Sequence, residues 1–312
     1  MNKIYTYTTL VVFALGLCVA VGCSNEVTNE NKQVQTDERP DSEKLKDLDL
    51  KIEKNPNDIQ SRYERAKVLL NMNRNSEAMS DIDRALKEAP DNVDFLLLKA
   101  DICLRNGNMA ECYKVLQHAE EISSDNQEVL LKMGEITFDS KDYDRSLEYL
   151  SRVTKKDEDN RAALFMKGFI YMEKGDTASA VQFFRRVCDR YPDYAAAFEQ
   201  LGVLYASRQE PLAVEYLNTA IQLEPSNTNA LYALAMFYQN TEQMDEAESL
   251  YRQILVINPN SADAYHNLGW IELTFYHDYA RAIEFFDKAL EIDPQMENAI
   301  INRQLAIKES GK

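Results

Sequence analysis

Small residues that return every 34 positions constrain this chain more than any other feature. The pattern is clearest in 161–194, RAALFMKGFIYMEKGDTASAVQFFRRVCDRYPDY. Residues 162–174 read as one helix, Gly175-Asp176 as a turn and 178–190 as a second helix. Pro192 ends it, because proline has no N–H to donate and its ring clashes with the preceding helical turn. Gly168, Ala180 and Val187 are small where the two helices would cross, and short side chains let two backbones approach closely. Gly168 has counterparts in Ala66, Ala100, Gly134, Gly202, Ala235 and Gly269. Ala180 has counterparts in Ala78, Cys112, Ser146, Ala213, Ala247 and Ala282. A turn-ending proline recurs as Pro90, Pro192, Pro225, Pro259 and Pro294, with Ser124 and Glu158 in its place twice.

Composition agrees with a helical chain. Nine glycines and eight prolines in 312 residues are few, and no long alternating β-branched run occurs. The formal net charge of −17 repels phosphate backbones, which argues against a nucleic-acid partner and against a broad electrostatic hold on anionic lipid.

The N-terminus reads as a targeting segment. Lys3 precedes the apolar run 10–22, LVVFALGLCVAVG, which is too short to span a bilayer as a helix. The run ends in Ala20-Val21-Gly22-Cys23, and this resembles a bacterial lipoprotein signal. The resemblance implies cleavage of 1–22, a lipid anchor on Cys23 and, with Ser24 following, a place in the cell envelope at the outer membrane facing the periplasm. Residues 23–42 are too polar to bury a core and read as a disordered tether. Residues 43–58 read as a capping helix with Leu45, Leu48 and Ile52 on one side, and 297–312 as a second cap that covers the last repeat with Ile300, Ile301 and Leu305.

Period, small positions and prolines together resemble the tetratricopeptide repeat, a helix–turn–helix unit of 34 residues. The resemblance implies an all-α, right-handed α-solenoid of seven repeats, 59–92, 93–126, 127–160, 161–194, 195–227, 228–261 and 262–296. Two units depart from the period. The fifth is one residue short at 209–211, and the seventh one residue long at 275–278, both in expected turns.

In that family the first helix of each unit lines a concave face, where ligands lie. One row on that face is then Tyr63, Leu97, Leu131, Phe165, Glu199, Tyr232 and His266. The next is Lys67, Asp101, Glu135, Phe169, Val203, Met236 and Trp270. Charge gives way to apolar side chains at the fourth unit. Phe165, Phe169, Met172, Val203, Tyr232, Met236, His266 and Trp270 are therefore the candidate protein-binding groove, suited to a protein or peptide partner. Packing of these residues among the repeats themselves is the competing reading.

Catalysis finds little support. His118, His266 and His277 form no metal-ligand spacing and no nucleophile motif, and no cofactor loop is present. Cys103 and Cys112 fall on the two helices of one unit, as a disulfide or as small packed hydrophobes. The expectation is a non-enzymatic scaffold without cofactor or metal, tethered to an envelope membrane. A self-associating structural component and an enzyme with a cross-repeat carboxylate site are the alternatives.

Overall fold

A computed structural model describes residues 39–311, so Cys23, the segment 1–22 and most of 23–42 lie outside the described residues. Among these, sixteen α-helices and no strands occur. They divide into two compact units between Ile170 and Tyr171.

The first unit opens with α1 (Asp41–Lys54), which buries Ile52 and packs Leu45 against the first repeat. Three helix pairs follow: α2 (Ile59–Asn71) with α3 (Asn75–Glu88), α4 (Val93–Arg105) with α5 (Met109–Ile122), and α6 (Gln127–Asp139) with α7 (Tyr143–Lys156). The unit closes within α8 (Arg161–Glu173). The second unit holds the end of α8, then α9 (Thr177–Arg190), α10 (Ala195–Ser207), α11 (Leu212–Leu223), α12 (Thr228–Asn240), α13 (Met244–Ile257), α14 (Ala262–Ile271), α15 (Tyr279–Ile292) and α16 (Glu297–Ser310).

Most first helices of the repeats start at a side-chain cap. Asp58, Asn92, Asn126, Asn160 and Asn227 accept a hydrogen bond from the backbone N–H three residues on, which satisfies a donor the helix itself leaves free. These caps explain why repeats lacking the proline still break at the same place, after Ile122 and after Lys156. Inside each repeat the turn holds one residue in the left-handed region: Asn73, Gly107, Lys141, Gly175, Gln209, Glu242 and His277. Only two of the seven are glycine, the residue that adopts this conformation without strain.

The recurring small positions sit under the partner helix. A Cβ on Gly134 would lie 2.9 Å from Leu150 Cδ2, and one on Gly269 would lie 2.8 Å from Phe286 Cε1. At Gly202 it would overlap Leu217 Cγ. Cys103 and Cys112 are free thiols buried in one apolar cluster with Leu116 and Met133, so they pack as small hydrophobes. Burial pushes the Cys112 thiol up to about 12.

The two departures from the 34-residue period resolve differently. In the fifth repeat the missing residue is lost from the turn, as expected: α11 begins directly behind Pro211, without a side-chain cap. In the seventh the turn is unchanged, with His277 left-handed and Asp278 capping α15. The extra residue lies in the first helix, where α14 runs on into a π-helical turn, Glu272–Tyr276. This corrects its expected place at 275–278. The π-turn also carries Glu272 inward, where it is 1% exposed and ion-paired with Arg281 Nη2 at 2.9 Å.

The C-terminal cap is a second correction. α16 does pack on the last repeat, but through Ala299 and Ala306, which join a cluster with Ala282, Phe286 and Ala289. Ile300, Ile301 and Leu305 face outward. Phe286 fills the space between the helices, so alanines fit beneath α16 where isoleucines would not.

Candidate functional site

The candidate groove residues fall in both units. In the first, Phe165 and Phe169 stand one helical turn apart on α8, with ring centroids 4.9 Å apart edge to face. Both are only 7% exposed, so they offer little area to a ligand in this conformation. The other first helices of this unit present charge on their inner row. Lys132 on α6 is ion-paired with Asp101 on α4. Burial pulls Lys132 down, but the carboxylates of Asp101, Glu128 and Glu135 outweigh it and hold the ammonium above the ordinary lysine value. Burial raises Glu135. Lys132 and Asp101 thus satisfy one another, and among the described residues no group of carboxylates, histidines and cysteines is arranged to hold a metal ion.

The second unit carries Met172, Val203, Tyr232, Met236, His266 and Trp270, all half-buried. Val203 lies four residues after Glu199 on α10, Met236 four after Tyr232 on α12, and Trp270 four after His266 on α14, so each pair shares a helix face. α10 packs against α12 as well as against its own partner α11, which places consecutive first helices side by side.

Several of these side chains are held by bonds that sequence reading did not reveal. Asn267 Nδ2 donates to Tyr232 Oη at 3.0 Å, and the Tyr232 ring lies edge-on to Tyr251, centroids 5.9 Å apart. Tyr251 Oη, from the second helix α13, donates to Gln239 Oε1 at 2.9 Å and lies 3.1 Å from Met236 Sδ. Asn302 Nδ2 on α16 donates to His266 Nε2 at 3.2 Å. Burial keeps His266 below the ordinary histidine value, so the ring is neutral at physiological pH. Burial also raises the Glu199 carboxyl, against the pull of a 2.8 Å hydrogen bond from Asn227 Nδ2. A 35-residue offset between Tyr232 and Asn267 is one repeat plus one residue, a spacing that a periodic reading could have flagged.

This arrangement suits recognition of a surface. It offers an indole, a phenol, a thioether and a neutral imidazole on pre-ordered helices.

Comparison with known proteins agrees with the fold. Models described as tetratricopeptide repeat match residues 63–111, 131–195 and 227–295, together more than half of the chain. No curated protein sequence matches. Among solved structures, a tetratricopeptide repeat protein from Parabacteroides merdae is 16% identical, with a TM-score of 0.58, over 80% of this chain and 98% of its own. Pseudomonas aeruginosa PilF is 16% identical with a TM-score of 0.59, over 66% and 94%. YrrB, described as a TPR protein with an unusual peptide-binding site, is 23% identical with a TM-score of 0.51, over 61% and 97%. At these identities the likeness is one of fold. Repeat period, small crossing positions and matched models agree, and the chain belongs to the tetratricopeptide repeat family.

Proposed function

We propose that this protein is a non-enzymatic scaffold that holds a protein or peptide partner against the first helices of its second unit. The observation that carries this reading is the set Val203, Tyr232, Met236, His266 and Trp270, half-buried on α10, α12 and α14, with Tyr232, Met236 and His266 held by Asn267, Tyr251 and Asn302. Stacked repeats are suited to such a role because each contributes one helix to an extended surface. Aromatic and thioether side chains supply large contact area with adaptable packing. The likeness to YrrB, described as peptide-binding, supports the same reading.

The partner is held near a bacterial envelope membrane by a lipid on Cys23, with the outer membrane as the site and the periplasm as the compartment. The support is the run 10–22 ending in Ala20-Val21-Gly22-Cys23. Among the described residues no helix is long and apolar enough to cross a membrane. Several acyl chains on the sulfur and the amine of one cysteine make a stable anchor, where a single chain does not.

The test is a paired pull-down from membranes, with the unsubstituted chain and with Met236→Glu/Trp270→Glu. The expected result is a partner present in the first and lost from the second, at unchanged helicity and thermal unfolding. Identical partners in both would overturn the groove assignment. Radiolabelled palmitate on the chain, absent after Cys23→Ser, tests the anchor separately.

A further inference from the structure

α16 is built like the first helix of a further repeat, and among the described residues no second helix lies beside it. Counted from each helix start, the fourth residue of α4, α6 and α12 is Leu96, Leu130 and Leu231, all buried. The eleventh residue of α2, α4 and α10 is Leu69, Cys103 and Tyr205, also buried. The same two positions of α16 are Ile300, 37% exposed, and Ile307, 45% exposed. Between them lie Ile301 at 59% and Leu305 at 42%, in the register of His266 and Trp270. A helix that ends a solenoid is expected to turn a polar face outward, because nothing further covers it. Here the buried face is the one made of Ala299 and Ala306, fastened by an Arg303–Asp287 ion pair and the Asn302–His266 hydrogen bond, and the large aliphatics are outside.

The eighth residue of α16, small in every repeat, is Gln304. It keeps a covering helix farther away than the second helix of a repeat, so the occupant is not a missing half-repeat packed in the usual way. We propose that the occupant is a second copy of this chain, the two α16 helices lying antiparallel about a two-fold axis at Gln304. Charge supports this choice. α16 carries Glu297 in its first turn and Lys308 in its last, so antiparallel packing about Gln304 brings each within about one helical turn of its opposite in the other copy. Glu297, Arg303, Lys308 and Glu309 cancel to zero on this helix, while the whole chain is −17. Two copies therefore meet here without the like-charge repulsion they meet over most of the surface. About the axis Ile301 of one copy faces Ile307 of the other. The two Gln304 amides pair, since each both donates and accepts. Four aliphatic side chains make a smaller patch than the roughly 800 Å² per partner of a standard stable interface, so the dimer depends on concentration. Salt strengthens it by screening the charge elsewhere.

Two measurements on the full chain in non-ionic detergent test this. Gln304→Cys is oxidised mildly and run on a non-reducing gel beside Val256→Cys, whose position on α13 is 83% exposed, and beside the unsubstituted chain. The expected result is a disulfide dimer from Gln304→Cys alone, above the background of the native cysteines. Equal yields at both positions would overturn the proposal. Sedimentation velocity then compares the unsubstituted chain with Ile301→Glu/Leu305→Glu. The expected loss is about tenfold or more in dimer affinity, with thermal unfolding unchanged because both positions are exposed. A chain that is monomeric at every concentration, or a dimer indifferent to these substitutions, would overturn it.

Discussion

The two units use the same repeat and stabilise it differently. The first is stitched by charge. Asp81 on α3, its side chain 3% exposed, accepts from Arg62 at 3.0 Å and from Arg65 at 2.6 Å, and Arg65 reaches on to Asp49 of α1 at 2.7 Å. Arg62 also donates to the Pro56 carbonyl at 2.8 Å. This network ties the N-terminal cap to the first repeat and fills the fourth position of α2 with an arginine where α4 and α6 carry leucine. The second unit is stitched by rings. Tyr171 stacks on Phe183 with centroids 5.4 Å apart, Tyr205 on Tyr216 at 5.4 Å, and Tyr232 meets Tyr251 at 5.9 Å. The lesson is that small positions and period define the repeat, while the remaining core positions accept either chemistry provided each polar group finds a partner.

Six substitutions break or sharpen that contrast. Asp81→Ala has the largest expected effect, because it leaves two arginines without their shared carboxylate. A loss of about 3–5 kcal/mol is expected from urea unfolding. A loss below about 1 kcal/mol would mean that the arginines find water and that the network is not what holds α1. Gly202→Ala comes next. The new methyl meets Leu217 on α11, and a loss of about 1–3 kcal/mol is expected. It belongs to the shared repeat geometry, so Gly134→Ala against Leu150 in the first unit should cost a similar amount.

Lys141→Gly and Glu242→Gly, one in each unit, act in the opposite direction. Both side chains occupy the left-handed region, and glycine relieves about 1 kcal/mol of strain, less the entropy it returns to the unfolded chain. Equal melting-temperature gains at the two sites would show that turn strain is independent of the chemistry of the unit. The smallest effect is that of Glu199→Gln. The carboxyl is raised in the fold by burial, so its ionised form opposes folding above its folded-state value, and the opposition fades as pH falls through that value toward the unfolded one. Glu199→Gln should therefore gain a few tenths of a kcal/mol at neutral pH and nothing at pH 4. A constant gain across that range would assign the effect to packing.

Much of the fold was legible in the sequence. The helix expected at 162–174 is Arg161–Glu173, and its partner expected at 178–190 is Thr177–Arg190. Period and small positions work because close helix crossings tolerate few residue types. Hydropathy alone did not orient α16: by hydropathy Ile300, Ile301 and Leu305 read as its inward side, yet Ala299 and Ala306 are the residues that pack with Phe286. The extra residue of the seventh repeat was visible, but not its place, since the left-handed His277 has no glycine to mark it. For the candidate groove, the sequence supplied which side chains share a face. Burial of Phe165 and Phe169, and the bonds that pin Tyr232, Met236 and His266, depend on neighbours one repeat away.

The π-helical turn at Glu272–Tyr276 bears on how such a chain lengthens. Arrays of near-identical units arise by copying, and copying slips. A slipped residue that landed in the turn would displace the cap on which the next helix depends. Here the error is taken up one turn upstream, inside a helix that widens by a single backbone step, while Asp278 still caps α15 as Asp142 caps α7 and Asp176 caps α9. The left-handed residue therefore acts as the punctuation of the repeat. Spacing drifts by one residue on either side of it, before it in the seventh repeat and after it in the fifth. Modules exchanged among the repeats other than the fifth should be joined immediately behind that residue, because there the interval to the next small position is the same.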